Sequence, residues 1–366
     1  MKHAALACLL VLAASINAQL PPPPTLALDT FVPMPPTPVA ADGRQQLAYE
    51  LHVTNFRGAE VTLEKVEVLG DGDAVLFAAD DLPPLISRPG QKPDRVLTAG
   101  TRAILFLWVT ADRPPKAVRH RIAYSLGGHH ATVLTPMVNV LTTPPPTLVP
   151  PLRGDRWVAT YGPSNHAPHR RTVLPMEGAA RIPQRFATDW VKLGPNGLFY
   201  RDDIGKNENW YGYGAEVYAV ADALVVATKD GIPDNTPPNL TPGGTFEDAG
   251  GNHVILDLGG NRYAFFAHLK PGSIRVKLGD RVKAGDVLGQ LGNSGNSMGP
   301  HLHFHVSTDP RPLTTEGLPY VLTSFVEIGR IPSSEALEMG TPWTGAVTSI
   351  PRRKEMPVGE TVVAFP

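Results

Sequence analysis

The chain has 366 residues, is 42% hydrophobic and 18% charged, and carries a formal net charge of −1. That length accommodates about two or three domains, and the composition is that of an ordinary globular protein. The near-zero charge excludes nucleic-acid capture by overall electrostatics, so any anionic polymer would have to be bound locally.

In chain order, residues 1–18 read as a secretory leader. Lys2 and His3 precede an apolar run at 4–14, and Ile16-Asn17-Ala18 offers a small-residue cleavage site. Export to the periplasm or the exterior is the expectation. Cys8, the sole cysteine, lies inside this leader, so the mature protein is expected to have no disulfide. No later run approaches the ~20 apolar residues of a membrane helix, and no membrane span is expected. Residues 19–45 are proline-rich and predict an extended tether. Strand patterns follow at 47–53, 61–68, 103–109, 121–126 and 131–140. Several strands without helical periodicity predict an immunoglobulin-like β-sandwich over 46–142. Its histidines (His52, His120, His129, His130) read as structural or solvated.

Residues 143–152 contain five prolines and predict a semi-rigid spacer between domains. A second β-rich domain is expected over 153–330. Within it the glycine- and proline-rich stretch 231–251 is a long loop able to form a cleft wall. Residues 331–366 show little periodicity and predict a surface-wrapping or partly disordered tail.

The most informative stretch is GNSGNSMGPHLHF at 292–304. Its Gly, Ser and Pro residues build a tight loop that delivers His301 and His303 to the start of a strand. Side chains two apart on a strand share one face at roughly 6–7 Å. That spacing suits one imidazole as a metal ligand and one beside the metal's water. A bare pair of this kind also reads as two structural histidines.

Together with YAVAD at 218–222, YAFFAHL at 263–269 and the glycine-turn hairpin at 276–286, this stretch resembles the lysostaphin-like, LytM-type zinc metalloendopeptidases of bacterial cell walls. The resemblance covers roughly residues 185–310. It implies a mainly β fold, in which the sandwich is followed by an antiparallel β-sheet zinc peptidase domain. It also implies Zn2+ as cofactor and peptidoglycan peptides as substrate, with His303 and Asp189 as metal ligands. His301 is then the general base, and His268 hydrogen-bonds the developing oxyanion or the water.

The sequence departs from the family at one position. RFATDW at 185–190 resembles the family's first motif, but Arg185 stands where a histidine is expected, and a guanidinium has no lone pair for a metal. The upstream loop NHAPHRR at 165–171 offers His169 as third ligand, with His166 in reserve. The role of His305, where relatives carry an acid or amide, stays open.

The leading expectation is an exported zinc endopeptidase of peptidoglycan. The alternative is a catalytically inactive member of the same fold that binds the wall or regulates another wall hydrolase. A carrier domain built on the hairpin lacks a modifiable lysine at its tip. The scissile bond and the oligomeric state are not legible.

Overall fold

The computed structural model describes residues 28–88, 90–240, 245–345 and 347–366. The leader expected at 1–18 and the first part of the tether lie outside the described residues. The rest is mainly β, as expected, with only short helices.

The first half is a sandwich of two antiparallel sheets. One contains β1 (Asp29–Phe31), β2 (Val39–Ala41), β3 (Arg44–Thr54) and β4 (Arg102–Ala111). The other contains Val61–Leu69, Val75–Ala79, Ala117–Leu126 and His129–Leu134. Side chains alternate across a strand, and β3 and β4 use both faces. Leu47, Tyr49, Leu51 and Val53 pack into the sandwich core with Leu105, Leu107 and Val109. The opposite face of these strands is also buried. Ala48 packs with Phe186, Val321 and Met356, and Ile104 and Phe106 pack with Ile182.

The second half is organised on one long sheet. In spatial order it runs Val321–Arg330, Thr361–Phe365, β5 (Gly154–Thr160), β6 (Thr188–Lys192), β9 (Leu302–Ser307), β8 (Tyr263–Leu269), β7 (Asn252–Asp257) and Ala223–Lys229. Neighbours along this path are antiparallel. Trp157, Trp190, Phe266, Phe304 and Tyr320 fill its core.

Three expected segments come out differently. The described part of the tether is structured: Leu28 enters the sandwich core, and Val39 and Ala41 pack against Phe186 and Val321. The spacer is not a spacer. Thr147–Leu148 pairs in parallel with Val321–Leu322, and Leu148 and Leu152 are buried in the core of the second domain. Prolines are tolerated at such sheet edges because the missing N–H faces away from the ladder. The tail is part of the fold, since Thr361–Phe365 inserts between Val321–Arg330 and β5. Its short apolar strand follows a turn-rich stretch that masks the pattern.

Candidate metal centre

The site lies on one face of the long sheet. Asp189 on β6 and His303 on β9 are directly paired across the strands, and Ala267 on β8 pairs with His303 on its other side. Asp189 is therefore set beside His303 by register alone. The third member arrives from outside the sheet, on the single helical turn α1 (Pro168–Arg171) that carries His169.

One ligand atom each from His169, Asp189 and His303 lies within 4.8 Å of the other two. His169 Nε2 is 2.9 Å from Asp189 Oδ2, and His303 Nδ1 is 2.8 Å from Asp189 Oδ1. Two imidazole nitrogens and a carboxylate, buried or half-buried, make a donor set suited to zinc with one position left open. These three side chains would hold such an ion, and it would supply Lewis acidity at this point of the sheet. His166 is exposed and outside the group. Arg185 is buried and turned away, its guanidinium on Glu50 and Glu316 at 2.8 and 2.9 Å.

Burial alone would raise the pKa of Asp189. The charges of His169 and His301, with hydrogen bonds from His169 and His303, outweigh it and hold the carboxyl well below its usual range. His169 is raised: burial opposes its charge, but the Asp189 carboxylate favours it more. Burial lowers His303.

His301 and His268 stand beside this group. The His301 and His268 rings are 4.6 Å apart, and His301 Nε2 is 3.5 Å from Asp189 Oδ1. In each, Nδ1 faces a backbone carbonyl at 2.8 Å: Gly299 for His301 and Ser294 for His268. A carbonyl only accepts, so Nδ1 carries a proton in each, and in the neutral ring the lone pair is then on Nε2. Burial, reinforced by His301 and His303, pushes His268 well below the usual imidazole value. Its backbone is left-handed at φ +62°, a conformation costing a non-glycine residue about 1–3 kcal/mol. Its N–H donates to Gly250 O, and its carbonyl accepts from Gly292 N–H, at 2.9 and 3.0 Å.

Two contacts were not foreseen. His303 Nε2 lies 3.0 Å from His305 Nδ1 and 3.1 Å from the Gln184 carboxamide. His305 stacks on Phe265 at 4.5 Å and 13°. Gln184 gave no sequence signal, being one polar residue in a loop. The even spacing of His301, His303 and His305 placed all three on one face, and that was the available clue.

The site opens into a cavity of about 820 Å³ whose walls include Tyr161, Phe199, Trp210, Leu240 and Phe246. Leu240 and Phe246 come from the 231–251 loop, which does form a cleft wall.

Comparison with known proteins bears out the resemblance. Residues 210–315 match the model of peptidase family M23. This region contains His268, His301 and His303, whereas His169 and Asp189 lie upstream of it. Glycyl-glycine endopeptidase ALE-1 of Staphylococcus capitis is 33% identical over 98 residues, which is 26% of this chain and 25% of that protein. Peptidoglycan DD-endopeptidase ShyA of Vibrio cholerae is 32% identical over 100 residues, 27% of this chain and 19% of that protein. The chain thus spans a quarter or less of these relatives. Among solved structures, the catalytic domain of lysostaphin from Staphylococcus simulans is 20% identical, with 42% of this chain and 81% of that one covered and a TM-score of 0.23.

Proposed function

We propose that this chain is an exported zinc-dependent endopeptidase that hydrolyses peptide bonds in bacterial peptidoglycan. The observation that carries the reading is the convergence of His169, Asp189 and His303 within 4.8 Å. They line a large cleft, beside two imidazoles whose Nδ1 atoms are committed to backbone carbonyls. His169, Asp189 and His303 would hold the ion, through Nε2, a carboxylate oxygen and Nδ1. Bound there, zinc supplies Lewis acidity toward water and toward the scissile carbonyl.

The protein's own groups do the rest. His301, oriented by Gly299 O, takes a proton on Nε2 from the attacking water and returns it to the leaving amine. His268 is neutral and accepts at Nε2, so in the resting site it orients water. It becomes a donor to a developing oxyanion only after gaining a proton, which refines the expected role. The apolar cleft walls bind the substrate's peptide and limit water near the reacting bond. Arg185 motivates the alternative of an inactive relative. His169 beside Asp189 supplies the histidine Arg185 lacks, and this favours the catalytic reading.

The relatives' names contain both glycyl-glycine and DD-endopeptidase, so the test uses both bonds. The purified protein is incubated with glycine-bridged and D-alanyl-cross-linked muropeptides, and products are identified by mass spectrometry. One of the two is expected to be cleaved, with loss on chelation and recovery on adding zinc. A zinc-loaded protein that cleaves neither overturns the proposal.

A further inference from the structure

The third metal-binding side chain is held by the sandwich more than by the sheet it serves. A four-residue helix has no stability of its own, so α1 must be fixed by its surroundings. Arg170, next to His169, is fully buried and reaches into the sandwich. Its Nη2 donates to Tyr49 O at 3.0 Å, to Leu107 O at 2.9 Å and to Glu50 Oε1 at 3.1 Å. Arg171 donates to Pro84 O at 2.6 Å and lies over the Phe106 ring at 4.3 Å. Asn165 donates to Phe106 O at 3.0 Å.

The same Glu50 carboxylate is shared with Arg185, whose Nε and Nη2 lie 3.0 and 2.8 Å from Oε2. Arg185 follows Gln184, which touches His303, and stands four residues before Asp189. It is also tied to Gly317 O at 3.2 Å and to Glu316. Glu50 is 2% exposed and projects from the face of β3 turned toward the second domain. One buried carboxylate therefore joins the two segments that deliver His169 and Asp189. Two guanidiniums this deeply buried need that charge, because an unpaired buried ion rearranges or rehydrates.

We propose that Glu50 is a positioning residue of the metal centre, and that the sandwich is a structural part of the site through the Arg170–Glu50–Arg185 bridge. This rests on the zinc reading above. It replaces the expectation that a spacer at 143–152 holds the sandwich apart from the second domain.

The test is made on the full chain. Zinc affinity is measured by competition with a chromophoric chelator, the imidazole ligands are counted by zinc X-ray absorption, and folding of the metal-free protein is followed by circular dichroism. Glu50→Gln keeps the side-chain shape and removes the charge. The expectation is a folded protein with zinc binding about 10–100-fold weaker, the usual effect of losing a group that orients ligands, and one imidazole fewer. Glu67→Gln, on the exposed Lys65 and Arg121 pair of the same domain, leaves both readouts unchanged.

A merely structural bridge would lower the melting temperature while affinity and imidazole count stayed at wild-type values, and that result overturns the proposal. If Glu50→Gln does not fold, Arg170→Lys decides by the same measurements, since it keeps a cation for Glu50 but loses the fork that reaches Tyr49 O and Leu107 O. A wild-type chain that binds no zinc sinks the zinc reading itself, a different outcome from wild-type affinity in the variants.

Discussion

The sandwich and the second domain both bury histidines, and they do so in different ways. In the sandwich, His120 engages both ring nitrogens locally, Nε2 with the Tyr49 hydroxyl at 2.9 Å and Nδ1 with the Thr135 hydroxyl at 3.1 Å. His52 is packed against Phe31. Burial pushes each of them down to about 4. In the second domain, His268 and His301 each commit one nitrogen to a carbonyl and keep the other free toward a shared space. Burial alone therefore does not mark a functional histidine. The mark is a lone pair left over, facing a cleft, next to others like it.

The sharpest way to break this contrast is to remove a member of the group proposed to bind the metal. His303→Ala is expected to abolish zinc binding, from about one ion per chain to none, and to reduce cleavage to background. His120→Gln in the sandwich should leave zinc content unchanged. Metal analysis of both proteins checks the pair, and full zinc content in His303→Ala would dissolve the distinction.

Next in size is His301→Ala. It should keep the ion and lose roughly 10²–10⁴-fold in cleavage rate, the usual contribution of a positioned base. Loss of zinc in this variant would make His301 a ligand.

The local half of this contrast was legible in the sequence. The strands at 47–53, 61–68 and 103–109 lie inside observed strands, and the stretch 292–304 announced the loop that delivers His301 and His303. His169 was reachable only because Arg185 occupied an expected position. The long-range half was not legible. Glu50 meets Arg170 and Arg185 across 120 and 135 residues, and no local periodicity carries such a pairing. One clue was available. The run AILFLWV at 103–109 has no polar face, the pattern of a strand covered on both sides, and it marked the sandwich face that the second domain covers. The prolines at 143–152 argued for separation, because proline reports a missing N–H and a fixed φ and says nothing about what packs on it.

A smaller effect separates the two histidine classes by pH. His120 has its folded value lowered to about 4 from an ordinary 6.5. Its neutral form stabilises the fold above about pH 6.5, and that contribution is lost as pH falls toward 4. Between pH 7 and pH 4.5 the loss is on the order of 2–3 kcal/mol. Urea unfolding at the two pH values should show wild type losing that much more stability than His120→Gln. Equal losses would mean that His120 is not held neutral.

The smallest expected effect concerns His305. With His303 Nδ1 committed to the ion as proposed above, the proton of His303 would sit on Nε2, and His305 Nδ1, 3.0 Å away, would accept it. Such a partner fixes the tautomer and ring orientation of a metal-binding imidazole. His305 then carries its own proton on Nε2, a buried atom without a partner among the described residues. The same side chain therefore helps the metal site and burdens the fold. His305→Phe keeps a ring to stack on Phe265 while removing both the acceptor and the unsatisfied donor. Zinc affinity should fall by about tenfold, the lower end of such effects. The metal-free protein should melt at the same temperature or higher, because relieving a buried unsatisfied group is worth about 1–3 kcal/mol. Opposite signs in the two measurements identify a residue retained for the site. A fall in both would place His305 with His120, as a histidine that serves packing alone.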